Sequence, residues 1–316
     1  MAHLVGDIGG THSRFALVEL TAGKPLLHAA RQTENAGFAS LTEAARHYVD
    51  SVGAQIDSVV LAVAAPVSGP DVQLINLNWS FNQHALCKQL GASSLKVIND
   101  FTAVSYCLPL LGVDDVRVIG DAPFPADPAT LKRLAVLGPG TGMGVGGVVR
   151  AGDMWAPLVS EGGHATIAPH DADDIAVVSH VMAKHGRVFN EMLLSGPGLC
   201  NLYDAIAAIR KQPTEPLSPA EITTRALAGG DPLCKEVLDR FCAMLGSVAG
   251  DIAMLWWADV VFIAGGIVPR FVDYFATSGF RARFEAKSDY SRFMRPIPTC
   301  VITEPNYGLL GAAACL

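Results

Sequence analysis

The chain has 316 residues, half of them hydrophobic, which suffices for two domains that each bury a core and leaves no room for a disordered reading. Its formal net charge is −7 and no run of Lys or Arg forms a basic stripe, so nucleic acid is not an expected partner. Seven scattered cysteines without Cys-x-x-Cys spacing or a Cys/His cluster read as reduced structural thiols and exclude a zinc knot.

In chain order, "HLVGDIG" (3–9), "SRFALVEL" (13–20) and "PLLHAARQ" (25–32) read as three short strands in an antiparallel meander, with a turn at Thr21, Ala22, Gly23 and Lys24 joining the last two. "SLTEAARHYVDSVG" (40–53) reads as a helix with Ser40 and Glu43 as a capping box and Gly53 closing it. A β-rich run at 58–69, a helix at 83–91 and the strand "LKVIND" (95–100) follow. The second half opens on "LAVLGPGTGMGVGGVV" (134–149), a strand, a glycine turn and a strand, and "MWAPLVSEGG" (154–163) supplies a third. Helices are expected at 172–185, 198–211, 218–228 (capped by Ser218 and Glu221) and 231–257, with strands at 259–269 and 299–305. Both halves open on the same strand, glycine turn, strand grammar with a threonine in the turn (Thr11, Thr141), which suggests an ancient duplication.

The apolar stretch 241–269 is cut by Asp251, Asp259 and several glycines below the ~20 residues a bilayer requires, so a buried helix followed by a buried strand is expected and a membrane partner is not. "MAHLVGDIGG" lacks a basic n-region, and a cytoplasmic location is the expectation.

Asp7 and the glycines behind it are out of place in a buried strand. A glycine turn between antiparallel strands lets backbone amides close on phosphate oxygens, and a carboxylate at its mouth suits the Mg²⁺ that travels with a nucleotide. An ordinary hairpin with one tolerated Asp explains "DIGGT" by itself equally well. There is no P-loop, and the Gly-x-Gly-x-x-Gly at Gly142, Gly144 and Gly147 continues in extended form rather than opening a helix, so it is a chance match. "VINDF" (97–101) places Asn99 and Asp100 where a strand gives way to a helix, and "FIAGGIVP" (262–269) ends a strand in paired glycines as a nucleoside shelf would. Taken singly, Glu161 reads as a solvated loop acid, His164 as a satisfied loop histidine, and "VFNEMLL" around Glu191 as a plain helix.

"GDIGGTHSRFAL", "INDFTAVSY", "GPGTGMGVG", "EGGHATIAP", "LSGPGLCNLY" and "FIAGGIVPRF", in this order and through "EPNYGLLGAA" at 304–313, resemble the segments of the ATP-dependent bacterial glucokinase family, within the superfamily of hexokinases, heat-shock ATPases and actin. The resemblance implies an α/β, two-domain actin-like ATPase (ribonuclease H-like) fold with an interdomain cleft. It divides the chain into a small domain, 1–110, to which a C-terminal helix returns, and a large one, 111–316. It implies ATP and Mg²⁺, phosphorylation of glucose at the 6-hydroxyl, and a homodimer. Position by position, the phosphate turn falls on Gly6, Asp7, Ile8, Gly9, Gly10 and Thr11, with Asp7 toward the metal. The second phosphate loop falls on Gly138, Gly140, Thr141 and Gly142, the adenosine end on Gly265 and Gly266, and the general base on Asp100. The sugar ligands fall on Asn99, Asp100, Glu161, His164 and Glu191. His12, where relatives often carry Asn, and Pro139 depart from the pattern beside the nucleotide contacts. Other hexose kinases, for fructose, mannose or an N-acetylhexosamine, are the alternatives; the zinc-bearing ones carry a cysteine-rich loop after "EGGH" that is absent here. A non-catalytic sugar or nucleotide sensor is the alternative of another class.

Overall fold

Strands and helices alternate along the computed structural model, which describes residues 2–21, 24–74 and 77–316. The turn expected at 21–24 therefore has Ala22 and Gly23 outside the described residues. Contacts gather the chain into two compact units. The first comprises Met1–Leu111, Trp155–Leu158 and Glu304–Leu316, the second Gly112–Met154 and Val159–Thr303.

The first unit is built on strands β1 (Ala2–Ile8), β2 (His12–Thr21), β3 (Lys24–Glu34), β4 (Ile56–Val63) and, after a small β5–β6 hairpin (Asp71–Gln73, Ser80–Asn82), β7 (Ser94–Asn99). Its sheet runs β3-β2-β1-β4-β7, antiparallel through the hairpins and parallel from β1 onward. Ile8 pairs with Val63, and Val63 with Asn99. The carboxyl ends of three parallel strands thus finish in line, the edge where open α/β sheets hold ligands. Helices α1 (Leu41–Val52), α2 (Gln83–Leu90) and α3 (Asp100–Cys107) belong to this unit. Leu4, Ile8, Phe15, Tyr48 and Leu61 are buried together, the inward residues of β1, β2 and β4 meeting the apolar stripe of α1. Ser40 caps α1 as expected, accepting from the Glu43 amide at 3.2 Å, but Glu43 reaches back to the amide of Ala39 (2.7 Å) instead of Ser40, so the reciprocal box is displaced by one residue.

The six-stranded sheet is formed by β8 (Val116–Ile119), β9 (Arg133–Pro139), β10 (Met143–Ala151), β11 (Met154–Ser160), β12 (Val260–Ile263) and β13 (Thr299–Ile302). The sheet order is β11-β10-β9-β12-β13-β8. From the first five strands inward this repeats the first sheet, a meander whose first strand is extended by two parallel ones. The helices are α4 (Ala172–His185), α5 (Gly196–Arg210), α6 (Pro219–Ala228), α7 (Pro232–Trp256), α8 (Val272–Thr277), α9 (Phe280–Glu285) and α10 (Ser291–Met294). The capping box of Ser218 and Glu221 is complete. Most of α7 and all of β12 are buried, which is the soluble-core reading of the apolar stretch. Among the described residues no helix is long and apolar enough to cross a membrane. The last helix, α11 (Tyr307–Ala313), packs on α3 and β1 in the first unit.

Candidate active site

In the first unit, residues 9–11 make the turn between β1 and β2, closed by the Gly9 amide on the His12 carbonyl at 3.0 Å. Two carbonyls of this turn are drawn back into the protein by one residue. The Asn35 side-chain amide donates to Gly9 O (2.8 Å) and its backbone N–H to Thr11 O (2.9 Å), while its Oδ1 accepts from Ser13 Oγ (2.7 Å). Ser13 and Asn35 are 0% and 3% exposed, so these bonds are made away from water. No acceptor among the described residues engages the amides of Gly10 and Thr11, and amides left unpaired at a turn suit phosphate oxygens. Gly6 lies inside β1, packed against Leu61 and Phe15, and Ile8 is buried in the core, so these two support the turn from behind.

Asp7 precedes the turn with its carboxylate 3.7 Å from Arg14 Nη1. Burial pushes its carboxyl above the ordinary range, partly offset by the Arg14 charge. The backbone of Gly308 in α11 comes so close that a Cβ there would lie 2.6 Å from Asp7 Oδ2. Asn99, at the end of β7, caps α3, its Oδ1 accepting from the amides of Phe101 (2.9 Å) and Thr102 (3.2 Å). Asp100 is the first residue of that helix. Burial raises its carboxyl to about 6, opposed by the Phe101 amide and reinforced by the negative charge of Asp7. The edge of this sheet therefore carries a glycine turn, two mutually repelling carboxylates and a helix N-terminus.

In the second unit, Gly138 and Pro139 end β9, and Gly140, Thr141 and Gly142 turn into β10, closed by the Gly140 amide on Gly142 O at 2.7 Å. The amides of Thr141 and Gly142 have no acceptor among the described residues, as in the first turn. Gly265 and Gly266 follow β12 and lie against this loop. Gly265 has φ +82°, and a Cβ there would run into the Pro139 carbonyl, so no other residue fits.

Glu161 precedes and His164 ends a single 3-10 turn, Gly162–His164, and both side chains are exposed. The Asn190 side chain ties this turn to the next segment by donating to Gly162 O (2.9 Å), and the His164 ring sits 5.1 Å from Phe189. Glu191 lies in another 3-10 turn, Asn190–Met192, rather than in the plain helix that "VFNEMLL" permits. Its Oε2 accepts from the Met143 amide at 2.8 Å. Ser195 caps α5 through the Gly198 amide (3.0 Å) and donates to Glu191 O (2.7 Å), and the Gly196 amide donates to Gly140 O (2.8 Å).

Two constellations result: Asp7, the 9–11 turn, Asn99 and Asp100 in the first unit; the 138–142 loop, Gly265, Gly266, Glu161, His164 and Glu191 in the second. Asn35, Ser13, Asn190 and Ser195, which hold the turns in place, were not singled out in the sequence. Only Ser195 has a local signal, as a helix cap before Gly-Pro. Among the described residues no three His, Cys, Asp or Glu side chains form a metal cluster, and an ion at Asp7 would rest on few protein ligands, as Mg²⁺ does when it keeps most of its water.

A family model described as Glucokinase matches residues 4–316. The chain is 42% identical over 316 residues to the glucokinase of Xanthomonas euvesicatoria pv. vesicatoria, spanning 98% of this chain and 93% of that one. Among solved structures it resembles a glucokinase from an Antarctic psychrotroph, with a TM-score of 0.91, 36% identity and coverage of 100% and 98% of the two chains. A ROK family glucokinase from Streptomyces griseus, in complex with glucose and AMPPNP, shares the fold at a TM-score of 0.65 and 16% identity, covering 100% and 99%. The α/β architecture is accordingly that of the actin-like ATPases.

Proposed function

From the premise that the chain belongs to the glucokinase family, a family of sugar-phosphorylating enzymes, we propose that it transfers the γ-phosphoryl group of ATP to the 6-hydroxyl of D-glucose, giving glucose 6-phosphate and ADP. The observation that carries this reading is the environment of Asp100. A carboxyl lifted to about 6 is ionised at neutral pH yet far more basic than an exposed aspartate, which is what a general base for an alcohol requires. Asp100 takes the proton of the 6-hydroxyl as that oxygen bonds to the γ-phosphorus. The bond from phosphorus to the bridging oxygen breaks, and its electron pair leaves with ADP. Asn99, Glu161, His164 and Glu191 hold the sugar hydroxyls, the exposed side chains of Glu161 and His164 suiting that task. The amides of the 9–11 and 140–142 turns take phosphate oxygens, and Gly265 with Gly266 faces the adenosine.

Mg²⁺ fits the first constellation. The charge of Asp7 adds to the cost of ionising Asp100, burial raises the cost at both, and a hard divalent cation held by Asp7 would relieve it. When bound, the ion supplies charge neutralisation at the phosphates.

An ADP-release assay with Mg·ATP and a panel of hexoses tests the proposal. Turnover with glucose and much weaker turnover with mannose, fructose and N-acetylglucosamine is the expected result. Absence of glucose-dependent ADP release from a chain that binds both ligands overturns it in favour of a sensor.

A further inference from the structure

We propose that Glu191 is a positioning residue of the second phosphate loop as well as a sugar ligand, and that this one carboxylate couples sugar occupancy to nucleotide affinity. The inference rests on the functional reading above and deepens it. Four contacts carry it. Glu191 Oε2 accepts from the backbone amide of Met143, the residue at which the loop becomes β10. A Cβ on Gly142 would lie 2.5 Å from that same oxygen, so a side chain there would push the carboxylate away from the Met143 amide. The segment behind Glu191 is fixed to the loop a second time, by the Gly196 amide on Gly140 O at 2.8 Å, and Ser195 Oγ holds the Glu191 carbonyl at 2.7 Å.

A carboxylate accepts on both oxygens at once. With Oε2 committed to Met143, Oε1 has no protein donor among the described residues and is left for a sugar hydroxyl. A hydroxyl donated to Oε1 fixes the side-chain torsions that also aim Oε2. The sugar then holds the loop in its bonded shape, and a nucleotide meets a loop whose ordering cost is already met. Asn190 extends the same connection, since its side chain grips Gly162 O between Glu161 and His164. By linkage the nucleotide must tighten sugar binding by the factor with which the sugar tightens nucleotide binding.

Calorimetric titration of the full chain with Mg·AMPPNP, with and without saturating glucose, tests this. Glucose is expected to lower the AMPPNP Kd of the unaltered protein by roughly 10-fold. Glu191→Ala is expected to weaken AMPPNP roughly 10-fold in the complete absence of sugar and to abolish the effect of glucose. Glu191→Gln, whose amide oxygen still accepts from Met143, is expected to restore most of the sugar-free affinity. Glu161→Ala is the control, a sugar ligand with no contact to the loop: it loses glucose affinity and keeps its sugar-free AMPPNP Kd. Gly142→Ala approaches from the other side, and in the Glu191→Ala background it is expected to cost less than it does alone, because the crowded oxygen is gone. An unchanged sugar-free AMPPNP Kd in folded Glu191→Ala overturns the positioning role and leaves Glu191 a sugar ligand only. Failure of the unaltered protein to bind AMPPNP at all overturns the nucleotide reading beneath it, a different result from the first.

Discussion

Asp100 carries the proposed chemistry, and its burial as a carboxylate works against the fold. Its folded pKa of about 6 stands above the ordinary 3.8, so the folded state binds more protons than the unfolded one between those values. Stability therefore falls as pH rises through that window, by at most about 3 kcal/mol, and stays lowered above it. Asp100→Asn keeps the shape and one acceptor oxygen but cannot take a proton. We expect kcat to drop by roughly 10²–10⁴ with little change in glucose Kd, while the variant melts higher than the parent at pH 8 and the difference vanishes by pH 4. In the parent, kcat/KM should fall about tenfold per pH unit below pH 6, where the base is protonated; a flat profile from 5 to 8 with native turnover in the Asn variant would remove Asp100 from this role. Asn35 offers a second residue-scale test. Asn35→Ala strips Gly9 O and Ser13 Oγ of buried partners, costing about 1–3 kcal/mol, and should raise the KM for ATP severalfold while leaving that for glucose unchanged. Asn35→Asp still accepts from Ser13 but sets a carboxylate against Gly9 O, so it should recover less than half of the loss. Recovery to the parent value would show that the Gly9 contact is idle. Asp7 and Asp100 stand out in the sequence as candidates because a carboxylate at the end of an apolar strand is conspicuous. Asn35 could not, since its partners, Gly9 O, Thr11 O and Ser13 Oγ, lie on the far side of the β2–β3 hairpin, where no local pattern announces them.

At the scale of elements, periodicity and caps made most helices and long strands legible: Ser40, Ser218, Gly53 and Gly91 all stand at helix ends in the structure. The short strands β5, β6 and β8 escaped because three or four residues show no period. The turn at Glu191 escaped for a related reason. It is a helix-like sequence that makes only one turn, with the Asn190 side chain bonded to Gly162 O and the Ser195 hydroxyl to the Glu191 carbonyl. One junction carries a prediction of its own. Asp174 at the start of α4 is 0% exposed and is held by Arg240 of α7 (2.7 Å) and by Arg283 of α9, which also meet Asp171. Arg240→Met leaves a buried carboxylate short of one partner and should cost about 3 kcal/mol in urea denaturation. Because none of these side chains touches a proposed ligand residue, kcat measured well below the melting temperature should stay native; a loss of kcat without a loss of stability would show that the knot serves the site.

The whole molecule repeats one idea twice. The orders β3-β2-β1-β4-β7 and β11-β10-β9-β12-β13 put a glycine turn at the same place in each sheet, and each turn is braced by a neighbouring segment, Asn35 in one and residues 190–196 in the other. The repeated grammar around Thr11 and Thr141 was visible in the sequence; the braces were not, because they differ in chemistry between the two units. Each constellation that takes a ligand only when folded must stabilise the fold by mass action, about 2.7 kcal/mol at a hundredfold excess over Kd. For a chain of this length that raises the melting temperature by a few degrees. A hexose with one hydroxyl missing or inverted leaves a polar ligand group unpaired at a cost of roughly 1–3 kcal/mol, which weakens binding about 10- to 100-fold. At equal concentration such a sugar loses most of the shift. Scanning calorimetry with glucose, mannose, 2-deoxyglucose, fructose and N-acetylglucosamine should therefore give its largest displacement with glucose. Glu161→Ala should flatten the series toward the unliganded value without altering the shift produced by Mg·AMPPNP. Equal displacements across the hexoses would mean that the side chains at 99, 100, 161, 164 and 191 do not read the hydroxyls, and glucose would lose its place as the assigned substrate.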